Sequence, residues 1–126
     1  MRFMVMHKLD ENTPELWNPD EAFIARMGAF MGEANQAGVL LAGEGLRPSS
    51  VDAGRITVTG GKTTVTDGPF AETKELIAGF ALLQVRDKAE AMQWAQRFAD
   101  IFIASGADIE VDVRRVTEWE DLAPPA

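Results

Sequence analysis

The chain opens on "RFMVMHK" (2–8), where apolar residues fall on both sides of an alternating pattern. Phe3 and Val5 share one side, Met4 and Met6 the other. Successive strand residues point to opposite faces, so a strand apolar on both is one covered on both. A polar loop, "LDENTPELW", follows. The next stretch predicts a helix. Asn18 suits the N-cap, Pro19 the first helical position, and Asp20 and Glu21 the positive end of the helix dipole, with Glu21 placed to close a capping box. Phe23, Met27, Phe30, Met31 and Ala34 recur at helical spacing as the buried stripe. Gly28 and Gly32, four apart, leave room for the close approach of another element, and Gly38 is the stop signal.

A second strand is predicted over "VLLAGEGL" (39–46), loosening at its glycines. "RITVTG" and "KTTVTD" meet at Gly60-Gly61, a hairpin signal. "IAGFALLQV" (77–85) is again apolar on both faces and belongs in the middle of a sheet. Asp87 caps a second helix, with Glu90 three residues on completing a capping box. Its buried stripe is Ala91, Trp94, Ala95, Phe98 and Phe102, and Gly106 closes the loop beyond. In the last strand, "IEVDVRRV" (109–116), Ile109, Val111 and Val113 point inward. The order β-α-β-β-β-β-α-β predicts an α+β protein, with a ferredoxin-like antiparallel sheet and both helices on one face. Two helices cover only one side. The second apolar side then calls for the same sheet of another copy, a homodimer enclosing a cavity.

The chain has 126 residues, one domain by length, with 46% hydrophobic and 25% charged residues. The domain is expected over residues 1–121, with a fraying proline-containing tail at 122–126. Cysteine is absent, which excludes disulfides and thiolate chemistry. The formal net charge of −8 and the lack of a basic face argue against direct nucleic-acid binding. No apolar run reaches the ~18 residues of a membrane span, and "MRFMVMHK" is unlike a signal peptide, so a cytoplasmic location is expected. One histidine cannot build a histidine-rich metal site; no metal and no cofactor are expected.

Chemistry concentrates at two places. His7 ends the first strand on the Phe3 and Val5 side. It reads either as a general acid or base held by a carboxylate such as Asp67, or as a strand-end side chain bonded to backbone. The second place is "VTDGPFAETKE" (65–75). Asp67 either bonds the backbone of its own turn or, with Pro69 stiffening the loop, joins Phe70 as a wall of the cavity. Glu72 and Lys74 can pair with each other or with Arg47. Glu44 lies between Gly43 and Gly45, on backbone able to approach a ligand closely. Trp17 and Trp119 are candidates for a pocket or an interface.

"RFMVMHK", "AGVLLAGEGLRPSS", "GGK" and "VTDGPFAETKELIAGF" together resemble the YCII-related family, specifically its DGPF-domain branch, over residues 1 to 121. The resemblance implies a ferredoxin-like dimeric α+β barrel. Some YCII relatives carry a histidine–aspartate pair in a cleft, and DGPF members are often encoded beside extracytoplasmic-function sigma factors. Lys8, Glu44, Leu46, Asp67, Phe70, Glu72 and Lys74 stand where the branch's motif residues stand. His7 does not, since close DGPF relatives commonly have an apolar residue there.

Three functions follow as expectations. The first is a small-molecule binding domain, a sensor with a link to sigma-factor regulation, its pocket in the dimeric barrel near the DGPF loop. Lys8, Glu44, Leu46, Arg47, Asp67, Phe70, Glu72 and Lys74 would line it. The second is a cofactor-independent enzyme moving a proton with Asp67 and His7. The third is a protein-interaction module with an acidic surface.

Overall fold

The computed structural model describes residues 1–70 and 75–122. Its elements are β1 (Arg2–Asp10), α1 (Glu21–Gln36), β2 (Leu40–Gly45), β3 (Gly54–Thr59), β4 (Lys62–Asp67), β5 (Glu75–Gln84), α2 (Lys88–Ile103), β6 (Glu110–Arg115) and a short α3 (Trp119–Leu122). Four strands form an antiparallel sheet in the order β2-β5-β1-β6, so the two doubly apolar strands are the central ones. With α1 and α2 on one face, this is the expected ferredoxin-like α+β arrangement. No helix among the described residues is long and apolar enough to cross a membrane.

The helix starts differ in an instructive way. Asp20, not Asn18, caps α1: its Oδ1 accepts the Phe23 N–H at 2.8 Å. Asn18 is already committed to the 3-10 turn Pro14–Trp17, where its side chain donates to the Pro14 carbonyl at 3.1 Å. Pro19 therefore stays outside the helix. Asp87 caps α2 as expected, accepting the Glu90 N–H at 2.9 Å, while the Glu90 carboxylate turns to Arg86 instead of closing a box. Gly28 and Gly32 have nothing within 4 Å of a Cβ built on them. They lie on the exposed side of α1, away from the Met27 and Met31 stripe, so no element among the described residues approaches closely there.

Along β1 the inward row is Phe3, Val5, His7, Leu9. Phe3 and Val5 join Val39, Leu83, Ala91 and Ala95 in the main core. Leu9 belongs to a smaller cluster with Trp17 and Ala78. His7 stands between the two. By strand alternation Met4, paired with Leu82, and Met6, paired with Phe80, belong to the other sheet face, and all four are half-buried. Leu41 and Ile77 are 50% and 44% exposed.

β3 and β4 form a separate two-stranded hairpin. Gly60 and Gly61, at φ 58° and 77°, supply the two left-handed residues its turn needs. Ile56 faces Val65 across the strands, and both are about 70% exposed, at 69% and 70%. The chain terminus is tied back by Arg2, whose guanidinium meets the Glu118 carboxylate twice, at 2.7 and 3.0 Å. Of the stretch 122–126 only Leu122 is described, and it closes α3.

Candidate functional site

Between the two core clusters lies a cavity of about 450 Å³, under α1 and α2 on the helix-covered face of the sheet. Its walls are mostly apolar: Trp17 from the 3-10 turn, Phe23, Met27 and Met31 from α1, Phe98 and Phe102 from α2. The helical stripes thus do two jobs. The parts facing Leu83 pack closely, with only a small hollow left, and the parts facing His7 leave the larger space.

Two features of the sheet make room there. The β1–β5 register shifts between His7 and Lys8, so Ala78 is an extra residue opposite this point. Bulges of this kind bend a strand and re-aim its side chains. The freed Ala78 carbonyl accepts the Leu46 N–H at 2.7 Å, which pins the segment after β2 to the rim. Across from His7 is Gly79, where a Cβ would stand 2.6 Å from His7 Cε1 and 2.9 Å from the Glu44 carbonyl oxygen. Only glycine leaves space for the imidazole.

His7 packs between Phe98 and Phe102, with ring centroids 5.2 Å from each. Burial against these rings pushes its pKa down to about 4, because the charged form is stripped of water. Its Nδ1 is sealed and has no hydrogen-bond partner among the described residues. The expected carboxylate partner is not there: Asp67 ends β4 of the separate hairpin, paired with Gly54, while His7 points under the helices. The His7 side chain makes no hydrogen bond to backbone among the described residues either. The competing force is plain. Strand alternation put His7 on the inward row, and burial there outweighed both polar alternatives.

The other predicted residues divide. Glu44, Leu46 and Arg47 line the cavity, from the end of β2 and the loop after it. Lys8 is on the opposite sheet face, gripped by Asp112 at 2.9 Å and Glu110 at 3.0 Å. Hydrogen bonding to Asp112 first, then Glu110, holds its pKa above the ordinary lysine value. Phe70 sits beneath Arg55, with Cζ 4.0 Å from the ring centroid. Glu72 and Lys74 lie outside the described residues. Trp17 is buried on the cavity wall, whereas Trp119 is 82% exposed.

The DGPF corner has a structural role of its own. Buried Ser49 donates its N–H and its hydroxyl to the two oxygens of Glu11, and its Oγ accepts the Phe70 N–H at 3.0 Å. Gly68 donates to the Ala53 carbonyl at 3.0 Å, and the Gly68-Pro69 bond is cis. A Cβ on Gly68 would stand 1.8 Å from the Ser49 carbonyl oxygen, so the "PSS" and "DGPF" segments can meet only through glycine. Sequence reasoning did not find this joint, nor the part played by Phe98, Phe102 and Gly79. The available signal was weak: Phe98 and Phe102 sit four apart on a stripe that reads as ordinary core.

The YCII-related domain matches residues 1–120. An uncharacterised protein of Rhizobium meliloti (strain 1021) is 30% identical over 109 residues, covering 85% of this chain and 87% of the relative. With nearly its whole length matched, the chain belongs to the YCII-related family.

Proposed function

We propose that this chain, of the DGPF branch, is a small-molecule binding domain that holds an apolar ligand in the cavity beside His7. The observation that carries the reading is the cavity itself: about 450 Å³, walled by aromatic and methionine side chains, with the His7 imidazole set among them. Ligand sites are commonly concave, mostly apolar and provided with a few placed polar groups. Folding alone gives no reason to seat an imidazole with a sealed, unpaired Nδ1 on an otherwise apolar row.

The enzymatic reading is weaker. A general base needs an orienting partner and a pKa near the working pH. His7 Nδ1 has no hydrogen-bond partner among the described residues, and the His7 pKa is about 4. Binding also fits a homodimer through the open sheet face, where Met4, Met6, Phe80 and Leu82 lie side by side.

The test is a thermal-shift screen of apolar aromatic compounds. A ligand at ~100 times its Kd stabilises by about 2.7 kcal/mol, several degrees for a domain of this size. Met27→Trp, which plugs the cavity, should abolish the shift without lowering the melting temperature of the free protein. Shifts that persist in the plugged variant would move the site elsewhere.

A further inference from the structure

Resting on that reading, the orientation of His7 narrows the ligand. Its two nitrogens are not equivalent. Nδ1 is sealed, its ring edge lying against Gly79. His7 makes no hydrogen bond with the described residues, yet Nε2 is not among the sealed atoms, and His7 lines the cavity. Nε2 is therefore the nitrogen open to a bound molecule. A neutral imidazole carries its proton on one nitrogen only. An orphaned buried N–H is the rarer and costlier defect, so the proton belongs on the nitrogen that can reach a partner.

We propose that His7 donates Nε2–H to a neutral carbonyl oxygen of an apolar aromatic ligand, such as a ketone, amide or quinone. The lining argues for neutral rather than anionic oxygen. Among the described lining residues the other charged ones are Glu44 and Arg47, both exposed, and Glu44 is paired with Phe80 of the outward row. A carboxylate pushed inward to His7 would be stripped of water among the phenyl rings of Phe98 and Phe102, whereas Arg47 is exposed to solvent. A hydrocarbon without the oxygen would leave the N–H unpaired.

The sole histidine of the chain makes the test direct. Long-range nitrogen–proton correlation spectra of the labelled protein, at about neutral pH, report the tautomer of His7 without ambiguity. Three probes of similar shape are then added in turn: methyl naphthyl ketone, isopropylnaphthalene and naphthoate. The expected result is the Nε2–H tautomer, a shift of the Nε2 signal with the ketone alone, and ketone affinity about three- to tenfold above that of the hydrocarbon. His7→Leu should erase that preference, and His7→Gln, which keeps an amide N–H, should retain part of it. Protonation on Nδ1, equal affinity for ketone and hydrocarbon, or tightest binding of naphthoate would each overturn the proposal. The methyl signals of Met27 and Met31 separate the two levels. If they move with both neutral compounds while His7 does not, the cavity binds but the donor role is wrong. If they move with no probe, the binding reading falls as well.

Discussion

Acidifying the protein from about pH 7 to about pH 5 should unfold it more readily, and His7 should account for much of the loss. The imidazole has a pKa of about 4 in the folded protein against 6.5 when unperturbed, with burial as the cause. The folded pKa is the lower one, so the unfolded chain takes up the proton first. Stability is full above the unfolded value and falls as the pH drops from about 6.5 toward about 4. From those two values the cost is about 2 kcal/mol at about pH 5 and about 3 kcal/mol once both states are protonated. That is a large share of the 5–15 kcal/mol typical of a domain. Urea denaturation of the wild type and of His7→Leu at both pH values isolates the effect. Carboxylates such as Glu118, held low by its hydrogen bond to Arg2, titrate alike in both proteins and cancel in the difference. The variant should lose about 2 kcal/mol less than the wild type over this interval. Equal losses in the two proteins would show that His7 reaches water freely, and the account of a buried neutral imidazole would be wrong.

Three further outcomes are expected. Gly68→Ala should destabilise by ~3 kcal/mol or more in the same denaturation assay, since backbone at Ser49 cannot yield as a side chain could. Ser49→Ala, which strips the hydroxyl from Glu11 and leaves the Phe70 N–H unpaired, should cost about 1–3 kcal/mol, with the hairpin amides exchanging faster. Phe80→Asp on the open sheet face should convert a dimer to monomers in sedimentation while leaving the far-ultraviolet circular dichroism unchanged; an unaltered sedimentation coefficient would count against that face as the dimer surface.

Much of the fold could be read from residues close together in the chain. The alternation of Phe3, Val5, His7 and Leu9, the stripes Phe23–Met27–Met31 and Ala91–Ala95–Phe102, the Asp87 cap and the Gly60-Gly61 turn all depend on backbone geometry over a few residues. That geometry is the same wherever the segment ends up. Even locally there was a limit: Asn18 and Asp20 are equally good caps in isolation, and only the 3-10 turn before them decided between the two.

The site is of another kind. A cavity is the space left by residues distant in sequence, so no single segment encodes it. His7 faces Gly79 because of a register set by the whole β1–β5 pairing and broken by one bulge. Met31 reaches over Gly43, and Phe98 and Phe102 close over the imidazole, because of how two helices settle on that sheet. The patterning by itself determined the six strands and two long helices, their inward faces and the second apolar side of the sheet, but neither the 3-10 turn nor α3. Only tertiary packing decided that His7 would have its Nδ1 sealed without Asp67, that Lys8 would turn to Asp112 and Glu110, and that the hollow would open under the helices. Local preferences follow from short-range sterics, whereas cavities and charge partners follow from where the filled volumes fail to meet.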